Sequence, residues 1–217
     1  MPNAGNPQKV QRYLTEWAVA LREMAALEAE VMVPGHGIPI FGTARITQAL
    51  TDTAELLESL ESQTLALMNT GATLDRAIHE VEVPAHLRDQ PYLQAVYDHP
   101  EFLVRNVWQL YGGWHDGEPD NLMPAPRAQQ AKEWVALAGS VERVMERGAE
   151  LLDAGDLRLA CHIIEFAVMA EPGSTEAHRL RGKIYTSRAE LQSSSMAKNI
   201  LGHAALASAE SKRDLFE

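Results

Sequence analysis

The stretch Val31–Gly42, VMVPGHGIPIFG, restricts the fold more than any other part of this chain. It holds the one run that reads as a β-strand, Val31-Met32-Val33, in a sequence otherwise dominated by helical spacing. Short, unbroken and apolar, that run is expected to form a buried strand. Pro34 and Gly35 break it and leave His36 at its carboxyl end, while Gly37, Pro39 and Gly42 fix the path of the loop that follows. A histidine on a glycine-flanked turn just past a strand can project into a cleft as a metal ligand. It can equally serve as a hydrogen-bonded structural residue, because one imidazole does not make a metal site.

The flanking segments set the fold class. From about Val10 to Glu30, Tyr13, Trp17, Ala20, Leu21, Met24 and Leu27 recur at three- and four-residue intervals, the spacing of an amphipathic helix. Thr43 is placed to cap a long helix that runs to about Asn69 and stops at Gly71. Ile46, Leu50, Leu57, Leu60, Leu67 and Met68 mark its buried face. Thr73 caps a shorter helix, Leu74–Val81, and residues 82–98 are irregular around Pro84 and Pro91. Pro100 suits the first turn of a helix ending at Tyr111 before Gly112-Gly113. The loop Trp114–Pro126, WHDGEPDNLMPAP, turns sharply, and nothing beyond it reads as a strand.

From about Pro126 the chain is a series of short helices broken near Gly139, Gly155, Pro172-Gly173 and Ser193–Ser195. Gly148, Leu151, Ala160, Ala167 and Pro172 sit at the spacings of one tetratricopeptide unit, and Gly182 and Tyr185 echo Gly148 and Leu151 about 34 residues later. One unit and part of a second are fewer than a free solenoid needs. The expected architecture is therefore mainly α, with helical hairpins packed on something else.

Composition removes several function classes. With 217 residues, 46% of them apolar, the chain can bury a sizeable core. A net charge of −11 argues against a general nucleic-acid surface, which needs clustered Lys and Arg. No apolar run reaches the roughly 18 residues of a membrane span, and the amino end MPNAGNPQKVQRY has no apolar signal region. A soluble protein is expected, and its compartment, cytoplasmic or periplasmic, stays open. The single cysteine, Cys161, allows no internal disulfide and lies on an apolar helical face, where a buried and inert thiol is expected.

The histidines form no H-x-H or H-x-x-x-H pair, and no G-x-S-x-G elbow, phosphate loop or dinucleotide fingerprint is present. Two features can serve recognition. Asn3, Asn6, Lys9 and Arg12 combine amide donors with fixed positive charge in a loop leading into a helix, which suits an anion. The same segment also reads as an ordinary solvated terminus. Arg105, on the apolar helix 100–111, is either buried against a carboxylate or aimed into a pocket.

Several unusual strings occur in an order that resembles a known family: PNAGNPQKVQRYLTEWAVALREMAAL, VMVPGHGIPIFG, QTLALMNTGATLD, VRNVWQLYGGWHDGEPDNLMP and MAKNI. Together they resemble the carboxy-terminal part of the zinc-dependent alkylsulfatases of the metallo-β-lactamase superfamily. The GWHDGEP run followed by helical hairpins is similar to the alkylsulfatase dimerisation domain. That resemblance implies an αββα sandwich carrying two zinc ions, then an all-helical module that exchanges arms with a second subunit. It implies hydrolysis of an alkyl sulfate ester to alcohol and sulfate, with metal-bound hydroxide and nearby cations stabilising the departing group. Carried onto this chain, His36 matches a zinc ligand, Asn3 and Arg12 resemble sulfate-contacting residues, and Arg105 falls where the dimerisation module reaches toward the sulfate.

The H-x-H-x-D-H signature that supplies most zinc ligands in that family is absent from these residues. The expected division is a remnant of the metallo-β-lactamase sandwich over 1–42 and a dimerisation module over 43–217. The chain is expected to form a homodimer, with the helix Thr43–Asn69 and the WHDGEP loop as its arm. One histidine cannot hold two metals, so the isolated chain is expected to be catalytically silent and to bind its zinc incompletely. The alternative is a stand-alone helical homodimerisation or partner-binding module without catalysis.

Overall fold

The structure is a computed structural model and describes residues 1–213. Among the described residues it contains ten α-helices and one small antiparallel sheet. The fold is mainly α, and it divides into two compact units, Met1–Asn121 and Leu122–Glu217.

In the first unit α1 (Leu14–Ala25) is followed by β1 (Val31–Met32), β2 (Ile40–Phe41), α2 (Thr43–Asn69), α3 (Leu74–Glu80), α4 (Ala85–Arg88) and α5 (Pro100–Gly112). No glycine or proline interrupts 43–69, which lets α2 run long, and Gly71 ends it with a positive φ of 77°. Leu56, Leu57 and Leu60 on α2 are completely buried. Each such side chain contributes roughly 1.5–3 kcal/mol of burial. Leu14, Ala18, Leu21 and Ala25 of α1 and Leu103, Val104 and Val107 of α5 complete the same core.

Two expectations fail here. The helix expected from Val10 begins at Leu14, and its buried stripe is Leu14, Ala18, Leu21 and Ala25, while Tyr13, Met24 and Leu27 face solvent. The sequence carries two apolar stripes, and the one with two alanines lets α1 approach α2 closely. The strand at Val31-Met32-Val33 is not buried either. It is two residues long and pairs with β2 in the register Val31↔Phe41 and Met32↔Ile40. Alternation along such short strands turns only Met32 and Ile40 inward and leaves Val31, Val33 and Phe41 exposed. His36 lies in the loop between the strands.

The second unit contains α6 (Arg127–Ala138), α7 (Val141–Asp153), α8 (Leu157–Ala170), α9 (Thr175–Glu190) and α10 (Ser195–Ala209). α7 packs on α8, α8 on α9 and α9 on α10, as in stacked helical hairpins. Each break is followed by an N-cap. Ser140, Asp156, Ser174 and Ser194 accept the backbone N–H of Arg143, Leu159, Ala177 and Ala197, respectively. Gly148 faces Ile163, Ile164 and Ile184 at ordinary contact distance, and Ile164 and Ile184 are fully buried.

The module division expected at 42/43 falls inside the first compact unit, where α1 and β1 both pack on α2. Among the described residues no helix is long and apolar enough to cross a membrane.

Candidate functional site

The amino segment is held against α5 at three points. Gly5 and Asn6 donate their backbone N–H groups to Asp98 Oδ2 at 2.7 and 3.1 Å, and His99 donates to Oδ1 at 3.1 Å. Burial pushes the Asp98 carboxyl above its ordinary range, although these backbone bonds favour the charged form. Gly5 lies so close to the first turn of α5 that a Cβ there would overlap the backbone of Phe102 and Leu103. Further along, Asn106 of α5 accepts the Arg12 N–H at 3.3 Å and donates to the Arg12 carbonyl at 2.7 Å. Gln11 Nε2 donates to both oxygens of Asn106. These bonds hold 10–13 out of the helix.

Between the segment and α5 lies a cleft of about 540 Å³. Lys9 and Arg105 supply its charge, and Asn6, Gln11, Asn106 and Gln109 supply amides. Phe102, Trp108 and Trp114 form apolar walls. Among the described residues no carboxylate lines it. The lining combines two fixed cations with aromatic surface, a combination suited to an anion that carries an apolar body.

The loop beyond α5 closes one end. Trp108 Nε1 donates to the His115 carbonyl at 2.8 Å, and Leu74 N–H donates to the Asp116 carbonyl at 2.7 Å. Asp116 accepts from the Glu118 N–H and from Asn121 Nδ2, and these bonds lower its carboxyl below the ordinary range. Arg105 also lines a second hollow with Asp75, Asp116, Glu118 and Asp120, so it stands between an acid-free cleft and an acidic one.

Of the residues singled out in the sequence, Asn6, Lys9 and Arg105 meet at the cleft, and Arg105 is exposed there. Asn3 and Arg12 do not line it. Each instead carries a buried polar atom without a hydrogen-bond partner, Oδ1 in Asn3 and Nε in Arg12. His36 is exposed. For the zinc pair that the family resemblance implies, the residues present do not fit. Among the described residues no three His, Cys, Asp or Glu side chains gather as they must to hold a metal ion. Sequence reading missed Asp98, Gln11, Asn106 and Gln109. Each acts across more than 90 residues or lies on a helix face whose partner no local pattern reveals.

Known proteins resemble this chain in sequence and in fold. Residues 73–211 match the family model described as alkyl sulfatase dimerisation. A linear primary-alkylsulfatase from Pseudomonas sp. (strain ATCC 19151) is 30% identical over 170 residues, which are 78% of this chain and 32% of that protein. An (R)-specific secondary-alkylsulfatase from Pseudomonas sp. is 31% identical over 153 residues, covering 70% of this chain and 23% of the relative. The solved structure of the stereoselective inverting sec-alkylsulfatase Pisa1 from Pseudomonas sp. superposes with a TM-score of 0.89 at 27% identity. That superposition covers 97% of this chain and 34% of the other. The chain thus spans about a third or less of the length of these relatives. It belongs to the alkyl sulfatase dimerisation family.

Proposed function

We propose that this chain is the dimerisation portion of a zinc-dependent alkyl sulfate ester hydrolase, and that the cleft beside α5 receives the sulfate head of the ester. The observation that carries the reading is the cleft lining: Lys9 and Arg105 without a carboxylate, in a chain of net charge −11. Phe102, Trp108 and Trp114 would cover the first carbons of the alkyl group. Asn3 and Arg12, with their unpartnered buried atoms, would turn those atoms to the substrate or to neighbouring residues of the complete enzyme.

In this reading His36 is one metal ligand whose companions lie outside the chain. The metallo-β-lactamase sandwich is represented by 1–42 and the dimerisation module by 43–217. The exposed Met24 of α1, Tyr13 and Leu27 at its two ends, and Val31, Val33 and Phe41 of the hairpin are the surface on which further chain would pack. The dimer is a homodimer with α2 and the 114–119 loop as its arm, and the isolated chain does not turn over substrate.

A second reading, a stand-alone homodimerisation or partner-binding module, is favoured by the exposed Trp134 and Leu137 on α6 and Leu206 on α10. Three observations test these readings, and the third separates them. Sedimentation velocity at micromolar concentration should give a dimer, and a clean monomer removes dimerisation from both. With zinc added, dodecyl sulfate should release no sulfate above the buffer blank, and turnover overturns the claim that ligands are missing. An in-frame H-x-H-x-D-H in the genomic DNA upstream decides for the enzyme portion, and an independent translation start without it decides for the stand-alone module.

A further inference from the structure

We propose that the second unit holds an oxyanion-binding pocket of its own, formed by α8, α9 and α10 around Arg188. The pocket has a volume of about 420 Å³. Arg127, Arg181, Arg188 and Arg213 line it, and Glu165 is its one carboxylate among the described residues.

Glu165 is already fully engaged. Its Oε1 accepts from Arg181 Nε at 2.6 Å and from Tyr185 Oη at 3.0 Å, and its Oε2 accepts from Arg213 Nε at 2.9 Å. Arg181 is engaged as well. It donates Nη1 to the Ala204 carbonyl at 2.9 Å and to Ser208 Oγ at 2.7 Å, and its guanidinium lies 4.8 Å from the Tyr185 ring centre. One negative charge therefore answers two cations, and neither Arg127 nor Arg188 has a carboxylate within ion-pair reach among the described residues.

Arg188 is the unusual member. It is partly buried, and the group it faces is the Cys161 thiol, which burial holds in the neutral form. A thiol cannot offset the charge of a half-desolvated guanidinium, whereas an oxyanion can, through two parallel N–H···O bonds. Arg127, exposed at the first turn of α6, adds a second fork from the pocket rim. Ile200 and Leu201 of α10 supply an apolar wall, so the chemistry recognised is a tetrahedral oxyanion, free or carried on a short organic body.

The test is an NMR titration of the whole chain with inorganic phosphate, and separately with phenyl phosphate, at constant ionic strength held with sodium chloride. Saturable shifts are expected in the amides of 161–165 and 181–188. Arg188→Gln should raise the midpoint about tenfold and Arg127→Gln severalfold, since each removes a charge-assisted fork. Lys183→Gln, an exposed cation on α9 outside the pocket, should leave the midpoint unchanged. Tighter binding of phenyl phosphate assigns the pocket to an organic oxyanion, and equal binding assigns it to the free ion. The proposal is overturned if neither titrant saturates, or if Arg127→Gln, made on an exposed residue that the fold does not need, and Lys183→Gln behave alike.

Discussion

The fully buried carboxylate of Asp98 accepts the backbone N–H of Gly5 at 2.7 Å across 93 residues of sequence. This one side chain decides where the amino segment lies, because its two oxygens also take the N–H groups of Asn6 and His99. Asp98→Asn would turn an amide donor toward backbone donors, leaving at least one buried N–H unsatisfied. The expected cost is about 1–3 kcal/mol of unfolding free energy, read from urea denaturation. Amide exchange at Gly5 and Asn6 should accelerate more than exchange in α8 or α9. Unchanged exchange at those two residues would mean that something else anchors the segment.

Gly5 makes an independent claim about the same contact. A methyl group there would run into the backbone of Phe102 and Leu103, which cannot swing aside as a flexible side chain could. Gly5→Ala should therefore push the segment off α5 and open the cleft while leaving the second unit intact. Limited proteolysis should cut the variant within 5–12 at a rate at which the parent stays whole. Equal resistance would show that the segment yields without leaving α5.

The helices themselves were readable because their limits are local chemistry. The Thr73 cap, the Pro100 start, the Gly71 stop and the breaks near Gly139, Gly155 and Pro172 each depend on a few adjacent residues. What could not be read is which of two apolar stripes of α1 turns inward, since Tyr13–Leu27 and Leu14–Ala25 satisfy helical spacing equally well. The burial expected of Val31-Met32-Val33 fails for a related reason: an apolar run does not specify its own partner, and here the partner is the two-residue strand Ile40–Phe41. The cleft was half legible. Lys9, Asn6 and Arg105 carry chemistry that is visible in one dimension, whereas Asp98 and Asn106 matter only through contacts that the tertiary fold creates.

Glu61 of α2 joins three helices. Its Oε1 accepts from Tyr111 Oη at 2.6 Å and its Oε2 from Thr15 Oγ1 at 2.7 Å, and the residue is only 5% exposed. The hydrogen bond to Glu61, followed by desolvation, raises the Tyr111 phenol above its ordinary range. Tyr111→Phe removes the donor and leaves one carboxylate oxygen without it, at an expected cost of about 1–3 kcal/mol. Glu61→Gln should cost less than the sum of Tyr111→Phe and Thr15→Ala, because all three remove parts of one network. A double-mutant cycle on Tyr111 and Glu61 checks this, and a coupling energy near zero would mean that the two groups do not interact.

The second unit depends on pH through Glu165. Desolvation pushes its carboxyl upward, but the hydrogen bonds and charges of Arg213 and Arg181 outweigh that and hold it below the ordinary value of 4.5. A carboxyl whose folded value is depressed contributes stability that is fully present above the unfolded value and is lost as pH falls through the folded one. Hydrogen exchange in α8 and α9 should therefore speed up as pH falls below about 4.5, after correction for the intrinsic exchange rate. Glu165→Gln removes this dependence and leaves Arg181, only 4% exposed, without its counter-ion. Breaking a buried pair from one side costs about 3–5 kcal/mol, so at neutral pH the variant's second unit should melt well before the parent's. The buried guanidinium also bonds to Ala204 and Ser208, which keeps Arg181 in place for comparison with Arg181→Met. Removing both charges in Glu165→Leu/Arg181→Met should restore part of the lost stability, since the apolar pair leaves no buried charge unanswered. A double variant no more stable than Glu165→Leu alone would show that the lost hydrogen bonds, and not an unanswered buried charge, set the cost.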